Sequence, residues 1–208
     1  IRPSDSRIAT YSTDGTLRVW GGEYGSQFSH AAARNQYNYA LPMNADGSML
    51  ASAGPEGTIS VWDANDGSLK RNFPALDGLL NDAAFSPDGK FLGVVNWDST
   101  VRILDIESGA IAHDLQGQGG GSSSCSFSHD GRYFASGSTS KDVVIWDVKS
   151  GQIARRLPMP AAPYRVEFSR DGKYLAAGDR VGTITLWNPQ TFDSLTSIAA
   201  SKRRPGGK

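Results

Sequence analysis

The chain has 208 residues, with 21 Lys plus Arg against 21 Asp plus Glu and a formal net charge of zero. This argues against a general nucleic-acid or membrane-surface binder, which needs a net basic field. Hydrophobic residues make up 38%, lean for a globular domain, and 24 glycines accompany them, a composition suited to short strands and many turns in an all-β fold.

Cys125 is the one cysteine, so no intramolecular disulfide can form, and neither an Asn-x-Ser/Thr acceptor nor an apolar stretch long enough to span a membrane is present. Together these point to an intracellular, non-membrane protein, cytoplasmic with the nucleus also open to it.

In chain order, residues 1–31 hold a partial unit. Its β-branched strand TLRVW ends at Trp20, and only Ile1 to Pro3 remain for a first strand. Residues 32–76 carry the turn NADG (44–47) and the strands MLASAG (49–54), TISVW (58–62) and SLKRNF (68–73). Residues 77–118 repeat this plan with NDAAFS (81–86), SPDG (86–89), FLGVVN (91–96), TVRIL (100–104) and AIAHDL (110–115). Residues 119–160 do so with SSSCSFS (122–128), SHDG (128–131), YFASGS (133–138), DVVIW (142–146) and QIARRL (152–157). Residues 161–200 follow with YRVEFS (164–169), SRDG (169–172), YLAAGD (174–179), TITLW (183–187) and SLTSIA (194–199). The end, 201–208, is basic and lacks apolar residues, which predicts a solvated tail or linker.

Two markers keep one period. Trp20, Trp62, Leu104, Trp146 and Trp187 are spaced 42, 42, 42 and 41 residues apart, and Gly47, Gly89, Gly131 and Gly172 are spaced 42, 42 and 41 apart. Each Asp-Gly turn supplies a side-chain acceptor and a residue tolerant of positive φ, the requirement of a tight hairpin. Each unit therefore predicts four antiparallel strands. Such a unit has two apolar faces and cannot bury both alone, whereas radial stacking of blades covers them. The more polar fourth strand suits the outer edge.

The segments Val61-Trp62-Asp63, Ile145-Trp146-Asp147, Ser86-Pro87-Asp88-Gly89 and Ala135-Ser136-Gly137-Ser138 closely resemble the WD40 repeat family. The resemblance implies a β-propeller, here four complete four-stranded blades plus most of a fifth, within a larger ring of about seven. A five-bladed ring closed by an outside strand and a ring built from two chains are the alternatives. The family's Gly-His pair before each first strand is absent from the loops 33–36, 76–80, 117–123 and 159–163. Without that His, the His–Ser/Thr–Asp–Trp network typical of the family is incomplete. The packing is then expected to rest more on apolar contacts than on that network.

Residues able to carry chemistry are sparse. His30, His113 and His129 share no metal-ligand spacing. Cys125 sits on a first strand with no base beside it and is expected to be a small buried thiol. The glycine-rich run 116–122 lacks the Gly-Lys-Ser/Thr of a phosphate loop and reads as a mobile inter-blade loop. Arg18 and Arg102 occupy the same place on third strands and are expected to pair across neighbouring blades. No cofactor, metal or small-molecule substrate is expected, and no catalysis.

What remains is binding to other proteins. In the family's geometry one face collects the loops before first strands and the turns between second and third strands. Trp97, Arg180, Arg34 and Tyr37 belong there, with Trp97 the candidate aromatic anchor. The expected function is a non-catalytic protein–protein interaction scaffold within a multi-protein complex. The alternative is a structural component of a large assembly, cytoskeletal, ciliary or ribonucleoprotein, held through rim and tail. Nucleic acid is expected as a partner only through the basic tail, and membranes not at all.

Overall fold

The computed structural model describes residues 8–12, 16–21, 26–31, 40–53, 57–74, 76 and 80–199. Arg34, Tyr37 and the tail 201–208 lie outside the described residues. Among the described residues, eighteen strands form five antiparallel sheets in chain order. The first sheet holds β1 (Ile8–Tyr11), β2 (Thr16–Gly21) and β3 (Ser26–Ala31), and the second holds β4 (Met49–Ala53), β5 (Ile59–Asp63) and β6 (Leu69–Phe73). The third comprises β7 (Leu80–Phe85), β8 (Phe91–Asn96), β9 (Val101–Asp105) and β10 (Ile111–Leu115). The fourth comprises β11 (Cys125–Phe127), β12 (Tyr133–Ser138), β13 (Asp142–Asp147) and β14 (Gln152–Pro158). The fifth comprises β15 (Pro163–Phe168), β16 (Leu175–Asp179), β17 (Thr183–Trp187) and β18 (Ser194–Ala199).

Three sheets thus have four strands. In the second, the described part of the expected first strand makes the isolated bridge Met43↔Leu50, flanked by the Ala51 amide bonded to the Pro42 carbonyl at 3.0 Å. Pro42 itself has no amide to extend that ladder.

The Asp-Gly turns form as their chemistry dictates. Gly47, Gly89, Gly131 and Gly172 have φ between 68° and 72°. In the last three, the Asp carboxylate accepts from the amide two residues on, at 3.1 Å, and from the hydroxyl of the Ser two residues back, at 2.6 Å.

The sheets stack by one rule. Ile59, Val61 and Phe73 of the second sheet pack with Leu92, Val94 and Leu104 of the third. Val101, Ile103 and Leu115 of the third pack with Phe134, Val144 and Trp146 of the fourth. Val143, Ile145 and Leu157 of the fourth pack with Leu175, Val166 and Trp187 of the fifth. Each of these forward-facing residues is 4% exposed or less. At the corresponding register positions of the fifth sheet, Ile184 is 50% and Ile198 60% exposed. Covering an aliphatic side chain contributes about 1.5–3 kcal/mol, so burying this face would be favourable.

The innermost strands are tied by side chains. The Asp82 carboxylate on β7 accepts from the Cys125 amide on β11 at 3.0 Å and lies 3.2 Å from the Arg165 guanidinium on β15. Ser124 and Ser126 hydroxyls accept from the Val166 and Phe168 amides at 3.1 and 3.0 Å. Arg102 does not pair across blades. It faces Asp114, its register partner on β10 in the same sheet, at 3.5 Å, because the β9–β10 ladder brings that carboxylate alongside. Arg18 stands in register with Thr10 and Ser29 of its own sheet.

Candidate functional site

Among the described residues, the loops before the first strands of the fourth and fifth sheets are held to neighbouring turns by backbone hydrogen bonds. The Ser122 amide donates to Asn96, Thr139 to Gly121, Met159 to Lys141 and Arg180 to Ala162, at 2.8–3.2 Å. This ties each loop before a first strand to the turns between second and third strands beside it. The glycine run is in part packed into the structure. Ser122 and Ser124 are fully buried and Gln118 is 1% exposed. Close approach explains the glycines: a Cβ on Gly121 would stand 2.2 Å from the Trp97 carbonyl oxygen, and one on Gly120 2.3 Å from the Thr139 hydroxyl.

Gln118 is a functional part of the architecture that sequence reading passed over. Its amide oxygen accepts from the Ser136 hydroxyl at 2.7 Å, and its amide nitrogen donates to the Gly137 carbonyl at 3.1 Å. Ser136 in turn accepts from the Trp146 indole at 2.8 Å. Gly117-Gln118 thus does the work expected of the missing Gly-His pair. In the fourth sheet polar bonds therefore accompany the apolar contacts on which packing was expected mainly to rest. In the third sheet the corresponding buried residues are Leu76, Val94 and Leu104. The polar set has been replaced as a whole, which leaves no orphaned donor. Trp62 and Trp20 keep the indole bond, to Ser52 at 2.8 Å and to Thr10 at 2.9 Å.

On this platform stands Trp97. The β8–β9 turn is closed by the Asn96 amide on the Thr100 carbonyl and by the Thr100 amide on the Asp98 carboxylate, at 3.0 and 2.9 Å. With its carbonyl pressed against Gly121, Trp97 holds its side chain up, 50% exposed. The β16–β17 turn is closed by the Asp179 carboxylate, which accepts from the Val181 and Thr183 amides at 3.1 and 2.7 Å. That turn carries Arg180, whose guanidinium carbon lies 5.5 Å from the Trp97 ring centroid. Two residues singled out separately in the sequence, from the third and fifth sheets, therefore form one cation–π pair over the intervening blade. Tyr164 and Val181, 65% and 69% exposed, belong to the same loop end.

The channel side offers a different surface, a cavity of about 630 Å³ lined by Phe85, Phe127, Phe168, His129, Arg165 and Glu167 among others. Burial pushes the Asp82 carboxyl up, against the Cys125 amide and the Arg165 charge, which favour its anion. Burial and the Asp82 charge push the Cys125 thiol well above the usual range, and its sulfur lies 4.0 Å from the Gly93 carbonyl. This matches the expected small buried thiol. Among the described residues, no group of three His, Cys, Asp or Glu side chains could hold a metal ion. No described helix is long and apolar enough to cross a membrane.

The repeated antiparallel sheets, their Asp-Gly turns and the Trp–Ser bonds define the class as a propeller-type repeat protein. The WD40 family profile (WD domain, G-beta repeat) matches residues 39–63 and 109–147, and the profile of the anaphase-promoting complex subunit 4 WD40 domain matches residues 74–123. These matches support a divergent WD40 repeat family, with no subfamily distinguished. No curated protein matches it. WD40 repeats generally mediate protein–protein interaction and scaffolding, without catalysis.

Proposed function

We propose that this chain is a non-catalytic interaction platform that presents the Trp97–Arg180 loop end to partner proteins within a multi-protein complex. The observation that supports it most is the half-exposed Trp97, raised on a glycine-packed base and stacked by Arg180. Exposed, rigidly seated aromatic and Arg side chains are the residue types that dominate binding hot spots. Arg34 and Tyr37 extend the same surface in this reading. The repeat units run 1–31, 32–76, 77–118, 119–160 and 161–200 within a larger ring, in a protein of the cytoplasm.

The test is panning of short random peptides against the chain and its Trp97→Ala variant. Peptides lost with Trp97→Ala while the Tm stays nearly constant support the platform. A large fall in Tm with unchanged peptide binding makes Trp97 structural.

One observation favours the second reading, an assembly component held by its rim. Leu69, Ile111, Ile153 and Leu195 recur at intervals of 42 residues near the starts of the outer strands and are 37–53% exposed. Polar substitutions along this row would then abolish incorporation and leave peptide binding at Trp97 intact.

A further inference from the structure

Arg180 is an exposed cation. Among the described residues it forms no ion pair with a carboxylate, and neither does Lys141. Two described arginines are neutralised: Arg165 by Asp82 and Glu167 at 3.2 and 3.7 Å, and Arg156 by Asp142 at 2.6 Å. Lys141 lies in the turn between those of Trp97 and Arg180, in a left-handed conformation (φ 68°) that Gly57 and Gly182 adopt in the second and fifth sheets. A lysine there bears a backbone cost that a glycine avoids. The three turns Trp97–Ser99, Thr139–Lys141 and Arg180–Gly182 carry one carboxylate, Asp98, against two cations. Asp98 is engaged with the Thr100 amide.

The arginine is also restrained. Laid over the Trp97 ring, the guanidinium has already lost part of the freedom that binding would otherwise remove, while its hydrogen-bonding edges can still take a carboxylate in bidentate fashion. Beside it, Trp97, Val181 and Tyr164 offer apolar area.

We propose that this face recognises an acidic segment of a partner protein, with an Asp or Glu carboxylate received by Arg180, a second acidic group by Lys141, and an apolar side chain against Trp97. The inference rests on the reading of this loop end as the partner surface and adds the chemistry of the partner.

The probe is the set of random peptides that bind the wild-type chain and are lost on Trp97→Ala. These should share an Asp or Glu at a recurring position. Fluorescence anisotropy of one such peptide should show a loss of about 10-fold or more on Arg180→Glu. Arg180→Lys, which keeps charge but not the planar fork, should cost several-fold. Changing the peptide's own Glu to Gln should weaken it against the unaltered chain, and added salt should weaken the original peptide. Trp97-dependent peptides that are neutral or basic, or that bind Arg180→Glu as well as wild type, overturn the acidic-partner inference and leave the interaction surface standing. If no peptide depends on Trp97, both fail.

Discussion

Replacing Gln118 by Ala tests whether a glutamine holds the fourth sheet together. The side chain is 1% exposed and bridges Ser136 and Gly137 at 2.7 and 3.1 Å, with Trp146 bonded behind at 2.8 Å. Truncation leaves a buried hydroxyl donor and a buried carbonyl unpartnered, each costing about 1–3 kcal/mol, so about 2–6 kcal/mol is expected. Urea unfolding followed by far-UV circular dichroism measures it. Gln118→His should retain most of the stability, since an imidazole can accept from Ser136. The third sheet supplies a sharper comparison. Its Leu76, Val94 and Leu104 show that the network can be exchanged entire. Gln118→Leu with Ser136→Val and Trp146→Leu should therefore cost clearly less than the sum of the single changes. Strict additivity, or a Gln118→Ala loss below about 0.5 kcal/mol, would refute the reasoning.

Cys125 should resist a thiol reagent in the folded chain and react at once in urea, because burial and Asp82 both disfavour its thiolate; fast labelling of the native protein would place the thiol on the surface. Gly121→Ala should lower the Tm by several degrees and perturb Trp97 fluorescence, since its Cβ would meet the Trp97 carbonyl at 2.2 Å; an unchanged melt would show that the loop gives way. Acid should destabilise the turns. The Ser169 hydroxyl and Lys173 amide lower Asp171 to about 2. At Asp88 and Asp130 burial opposes the shift, but the Ser86 and Ser128 hydroxyls and nearby amides prevail and lower them as well. A carboxylate lowered on folding contributes stability that is present above its unfolded pKa of 3.8 and lost as pH falls towards its folded value. Stability should therefore drop between about pH 4 and 2, and Asp88→Asn with Asp130→Asn should flatten that drop; an unaltered acid profile would assign the loss to other groups.

Much of the fold was legible because two local codes coincide. The Asp-Gly turns specify hairpins by side-chain acceptor and positive φ, and the apolar strands between them recur every 41 or 42 residues. Strands such as Phe91–Asn96 and Tyr133–Ser138 fall where the residues place them. Trp97 and Arg180 were legible one at a time, as large side chains in turns. Their contact was not, because it depends on how far the fourth blade turns the fifth relative to the third. The same holds for Asp82 with Arg165. Gln118 was hidden differently. It lies within a glycine run whose composition reads as mobility, whereas those glycines are there to let neighbouring backbones approach. Arg102 was assigned to the wrong neighbour because its periodic recurrence suggested contact between units, while its ladder partner on β10 was closer.

Hydroxyl-radical footprinting of the chain with and without a selected peptide tests the interaction surface most directly. The account predicts that binding protects Trp97, Tyr164 and Val181 and leaves the rim residues Leu69, Ile111, Ile153 and Leu195 as reactive as before. Protection of that rim row with Trp97 unchanged would contradict it.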